Sequence, residues 1–163
     1  MTFRAIPLFL TLLLALGCSG DGSDSSNKEE LWEADRTGTA AVNLPSITFD
    51  EMKALYESAD FIDVIFYNME FSMSVNNKAN IQRMVGFVST QVAKLNPNCK
   101  PTGRIFFQKN GEMMAEADMY FDDVCRYFVF MKNGKATYAN DITPEGQAYF
   151  NQIFTQVKVE PNQ

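Results

Sequence analysis

The densest group of chemically capable side chains in the chain is Glu116, Asp118, Asp122 and Asp123. Two carboxylates at a suitable separation hydrolyse glycosidic bonds. Alternation along a strand puts Glu116 and Asp118 on one face. The same acids also read as a solvated strand face running into an acidic turn, and the surface bias of charged residues makes this the stronger reading. Asp118, Asp122 and Asp123 offer the hard oxygen ligands that calcium prefers, without the spacing of an EF-hand loop. The sequence has no histidine, so the commonest general base and metal ligand are missing. Ser and Thr nucleophiles therefore lack their usual activator, and no G-x-S-x-G occurs. The nine methionines supply soft donors, but most fall on apolar helix or strand positions and read as packing. No catalytic residue, metal site or cofactor is expected.

Three cysteines remain: Cys18, Cys99 and Cys125. Their roles depend on whether the chain is exported. Arg4 is followed by an apolar run from Ile6 to Leu16, interrupted only by Pro7 and Thr11. That is the core of a signal peptide, too short for a membrane span of about 20 residues. Ala15-Leu16-Gly17 satisfies the small-x-small rule for ordinary cleavage, which would leave Cys18 as a free thiol. "LALGC" (14–18) resembles the lipobox of bacterial lipoproteins, with Ala15 and Leu16 out of the preferred order. An odd exported thiol needs an explanation, and acylation of Cys18 supplies one. The resemblance implies a lipoprotein with a signal peptide at 1–17. It would be lipid-anchored in the cell envelope at the outer membrane, on its periplasmic or its surface face.

Residues 18–45 read as a flexible, acidic linker. "SGDGSDSSNKEE" is polar and rich in Gly and Ser, and residues 18–36 carry six acids and two bases. An acidic patch shortly after the cysteine resembles the surface-export signal of Bacteroidota lipoproteins, although a plain solvated linker has the same composition. The stretch from Phe61 to Tyr149 resembles uncharacterised small lipoproteins of that group. This bears on location alone.

Residues 46–160 are expected to form a single domain. The 163-residue chain is 46% hydrophobic and includes 14 Phe, enough for a core. With 20 acidic against 14 basic residues, it lacks the clustered positive charge that nucleic-acid binding needs. "TFDE" from Thr48 is a capping box, and Phe49, Met52, Leu55, Tyr56 and Ala59 share a helix face. "FIDVIFY" (61–67) reads as a strand. A second helix is predicted from Ser74 or Asn76, with Ile81, Met84, Val85, Val88 and Val92 as its stripe. "RIFFQKNGEMMAEADMYF" and "RYFVFMKNGKATYAND" read as two hairpins. A three-residue Lys-Asn-Gly loop sets Ile105 against Ala115, Phe107 against Met113 and Arg104 against Glu116, which pairs charges and apolar residues. A third helix starts at Thr143-Pro144, with Tyr149, Phe150, Ile153, Phe154 and Val157 as its stripe. The fold class is α+β: an antiparallel meander of about four to five strands with helices on one face.

That order brings the chemistry together. Cys99 precedes the first meander strand and Cys125 starts the third. Those strand axes lie about 9.6 Å apart, twice the interstrand spacing, while a disulfide needs Cα atoms within roughly 7 Å. The "KPTG" loop (100–103) can close the gap, and an oxidising compartment favours a Cys99–Cys125 bond. It would stabilise the fold by roughly 3.5 kcal/mol. Two separate buried thiols are the competing reading. The sheet face opposite the helices is expected to carry Arg104, Phe106, Glu116, Tyr120 and Phe128, a mixture that interfaces favour. The leading function is a lipid-anchored envelope module that binds a protein or glycan or has a structural role. A carboxylate-based glycan hydrolase, and a periplasmic inhibitor or chaperone-like accessory that covers a partner's strand edge, are the alternatives.

Overall fold

The computed structural model describes residues 43–67 and 69–157. The signal peptide expected at 1–17, the lipidation expected at Cys18 and the expected linker as far as residue 42 lie outside the described residues. Helix α1 (Phe49–Ser58) opens as its capping box dictates. Thr48 Oγ1 accepts from the Glu51 N–H at 3.2 Å, and Glu51 Oε2 accepts from the Thr48 N–H at 3.4 Å. Leu55 is the one buried residue in this helix, with Met52 partly buried. Phe49 and Tyr56, predicted on the same stripe, are exposed instead, at 79% and 46%.

Two strands follow, β1 (Phe61–Phe66) and β2 (Ser72–Val75), then helix α2 (Lys78–Val85). Asn77 caps α2 by accepting from the N–H groups of Ala79 and Asn80. Ile81, Met84 and Val85 are buried as predicted, but the helix stops at Gly86. Val88 and Val92 belong to a strand, β3 (Val88–Val92). Their spacing of four mimics a helical stripe. The β-branched composition of "VSTQV" and the Gly86-Phe87 turn before it favour the extended form.

The hairpins are β4 (Gly103–Lys109) with β5 (Glu112–Phe121), and β6 (Arg126–Lys132) with β7 (Lys135–Ile142). Helix α3 (Pro144–Val157) ends the described chain. The seven strands among the described residues form one antiparallel sheet in the order β2-β1-β4-β5-β6-β7-β3. The fold class is α+β, as predicted, with two more strands, β2 and β3, than the larger number expected.

Both turns are two-residue loops, not three. Asn110-Gly111 has φ of 52° and 79°, and Asn133-Gly134 has 53° and 74°. Positive φ at both positions is the type I′ turn that asparagine and glycine favour. Lys109 then faces Glu112, and Lys132 faces Lys135. A bulge just beyond each turn restores the alternation. Phe107 pairs with Ala115, Ile105 with Ala117 and Arg104 with Asp118. The predicted partners are thus displaced by two residues, which leaves Arg104, Ile105 and Phe107 on their expected faces.

On one sheet face Ile62, Val64, Ile105, Phe107, Met119 and Phe130 pack with Leu55, Ile81, Met84 and Phe150 of the three described helices in one core. The other face carries a smaller cluster in which Leu44, Ala93 and Leu95 cover Tyr127, Val129 and Ala139. The chain between Leu44 and Ile47 therefore passes from one face to the other beside β7. Asn140 secures the crossing. It is fully buried, accepts from the Ile47 N–H at 3.0 Å, and donates to Ser89 O at 2.8 Å and to the Ser46 hydroxyl. Asn140→Ala strands a buried N–H and a carbonyl, at about 1–3 kcal/mol each. Chemical denaturation should show a loss of about 2–4 kcal/mol; a loss below about 0.5 kcal/mol, the level of ordinary surface substitutions, would show that the crossing is held elsewhere.

Candidate functional site

The helix-free face is built in rows by the strand register. Asp63, Phe106 and Glu116 lie side by side on β1, β4 and β5. In the next row come Ile65, Arg104 and Asp118, then Val129 on β6. Tyr120 and Tyr127 form the row beyond and stack at 4.7 Å between centroids. The β6–β7 part is covered by Leu44 and the segment from Ala93. The β1–β4–β5 part carries Ile65, 44% exposed, and partly buried Phe106.

Arg104 organises this patch. Its Nε donates to Asp118 Oδ1 at 2.8 Å, and its Nη1 donates to Glu116 Oε2 at 3.3 Å. Asp118 is 3% exposed, and burying a carboxylate is costly unless it is paired. Burial by itself would lower the Arg104 pKa. The hydrogen bond to Asp118 and that carboxylate's charge, with smaller contributions from Tyr67 and Glu116, outweigh burial and hold the pKa above its ordinary value. The carboxylates proposed for hydrolysis are thus both engaged by one guanidinium, which suits a fixed polar patch and not an acid–base pair.

The remaining acids go elsewhere. Asp122 Oδ1 accepts from the N–H groups of Val124 and Cys125 at 2.7 and 2.6 Å and so shapes the β5–β6 turn. Asp123 is exposed in that turn. Asp118 and Asp122 therefore serve different structural ends, and the calcium grouping of Asp118, Asp122 and Asp123 is not assembled. Cys99 and Cys125 form the predicted disulfide, with Cα atoms 6.4 Å apart. Asp122 has a carboxylate oxygen within 4.8 Å of both sulfurs, but those sulfurs are bonded to each other.

Of the five residues predicted for the binding face, Arg104, Phe106, Glu116 and Tyr120 share it. Phe128 does not. It points to the helix side, is 1% exposed, and meets Phe150 edge-on at 6.3 Å. Its strand begins at Arg126, and the β5–β6 register places Phe128 opposite core Met119. The hairpin alternation alone left that parity unresolved. Ile65 was missed, although the acid at Asp63, two residues earlier, marks the solvent side of β1. Asp141 and the 94–97 loop carried no motif by which sequence could single them out.

No protein-family model, curated protein or solved structure matches the chain.

Arg104→Met removes the guanidinium that buried Asp118 and half-buried Glu116 share. A fully buried pair broken this way costs about 3–5 kcal/mol; the partial exposure of Arg104 reduces the expected loss to about 2–4 kcal/mol. Asp118→Val in the same chain should recover part of it, because the orphaned charge is then gone. A double-mutant cycle by urea denaturation checks both. Additive losses would mean that the two side chains are not coupled.

Proposed function

We propose that the chain is a lipid-anchored envelope module that binds a protein or glycan partner through the open β1–β4–β5 part of its helix-free sheet face. The observation that carries this reading is the Arg104–Glu116–Asp118 group, a fixed charged centre set beside exposed Ile65 and partly buried Phe106. Aromatic and arginine side chains that are already ordered make good interface anchors, because little freedom is lost on contact. Engagement of both carboxylates by Arg104 favours binding over hydrolysis. Anchoring rests on the lipobox-like "LALGC" and on the cysteine arithmetic. With Cys99 and Cys125 bonded to each other, Cys18 is the odd cysteine of three. Among the described residues no helix is long and apolar enough to cross a membrane. One acyl chain gives only marginal membrane binding, whereas several hold firmly.

The native protein should partition into detergent, and Cys18→Ala should move it to the aqueous phase or stall its processing. A wild-type chain that is aqueous and begins at an unmodified Cys18 would sink the anchor. With the anchor intact, Ile65→Ser plus Phe106→Ser should reduce recovery of partners from envelope extracts several-fold. The thermal midpoint should fall by no more than a few degrees, since each site is partly exposed. Unchanged recovery would remove this face from consideration.

A further inference from the structure

The β6–β7–β3 end of the same sheet face holds a separate feature. After β3 the chain turns back over the sheet, and Ala93, Leu95 and Cys99 join the cluster around Tyr127 and Val129. The Cys99–Cys125 bond ties this crossing segment to the β5–β6 turn. Between the segment, the turn and the start of α3 lies a groove of about 830 Å³. Small-molecule sites occupy roughly 300–1,000 Å³.

Tyr127 and Asp141 line the groove and are direct cross-strand partners. Tyr127 is held in place by its hydroxyl, which exchanges long hydrogen bonds with the backbone of Asn96 at 3.4 and 3.5 Å. Three other lining side chains, Gln91, Lys94 and Asp141, make no hydrogen bond or ion pair among the described residues. Arg126, by contrast, is committed to Gln147 Oε1 at 3.0 Å and Asp122 O at 3.2 Å. Burial pushes the Asp141 carboxyl above its ordinary range, so a hydrogen-bond donor placed against it would be favoured.

These three side chains define what suits them. A carboxylate asks for a donor, an ammonium for an acceptor, and a primary amide for both. A hydroxyl group answers all three and carries no charge. A phosphate or other anion would meet the Asp141 carboxylate, and a cation would meet Lys94 and Arg126. The apolar walls, among them Val92, Leu95 and Pro144, offer contact to C–H surfaces. We infer that this groove binds a short neutral oligosaccharide, with Asp141 accepting hydrogen bonds from sugar hydroxyls and with Gln91 and Lys94 completing the polar contacts. The inference rests on the reading of the chain as an envelope binding module and assigns it a second site, apart from the β1–β4–β5 face.

The mature full-length chain, isotope-labelled for NMR, is titrated with neutral trisaccharides of glucose, mannose, galactose and N-acetylglucosamine. At least one should give saturable amide shifts at Gln91 to Asn96 and at Asp141. Asp141→Asn should weaken that binding at least about tenfold, since hydrogen bonds to a charged group contribute roughly 1.5–3 kcal/mol. Phe49→Ser, at a 79% exposed position on α1 outside both proposed surfaces, should leave it unchanged. The inference is overturned if no trisaccharide gives saturable shifts, if only charged ligands do, or if Asp141→Asn binds as the wild type does while keeping its thermal midpoint. Detergent partitioning and envelope recovery, measured on the same variants, separate failure of the groove from failure of the module reading.

Discussion

A single buried amide, that of Asn140, decides how this sheet ends. β3 pairs with β7 only at Val88 and Val92, with an irregularity between. Asn140 fills that gap by binding the Ser89 carbonyl, and it receives the entering chain at Ser46 and Ile47. The segment before α1 is therefore stitched into the sheet margin instead of hanging from it. The backbone adds to the stitch: Ala139 N–H donates to Pro45 O, and Ala93 N–H donates to Ala139 O. Leu44 and Ala93 can cover the second sheet face only because this margin is fixed. The groove beside β3 depends on the same anchorage.

The two sheet faces then do different work. One packs the three helices and most of the phenylalanines. The other holds an ion-paired centre, Arg104 with Glu116 and Asp118, and near it a tyrosine stack. Desolvation of Asp118 is costly unless Arg104 stays in place. The guanidinium is held in turn by the direct pairing of β4 with β5 at these positions. Charge placement and strand register thus fix each other.

Much of this was legible from the chain. The capping box, the β4–β7 meander, the third helix and the disulfide follow from local spacing and from the need to close the Cys99–Cys125 gap. Four of five proposed face residues were placed correctly because strand parity survives a register error of two. The errors have physical causes as well. Val88 and Val92 satisfy a helical period and a strand equally, and a non-local partner, β7, made the choice. Lys132 and Lys135 face each other despite their like charge, because both are exposed and the turn geometry of Asn133-Gly134 prevails. Phe128 was misplaced because β6 is apolar on both faces, with Tyr127, Val129 and Met131 on one and Phe128 and Phe130 on the other, so composition gave no inside or outside. Asn140 was invisible: a single asparagine in a strand has no periodic signature, and its partners lie 51 to 94 residues away.

That separation has a kinetic consequence. Synthesis from the amino terminus presents Ser46 and Ile47 early, yet the residue that receives them arrives 93 positions after Ile47. β1 likewise waits for β4, since Phe61 pairs with Gln108. Loops of this size must close before their contacts reward the closure, which slows folding. The leading half of the chain thus has little reason to collapse early, and the topology itself delays the native state until the meander is available.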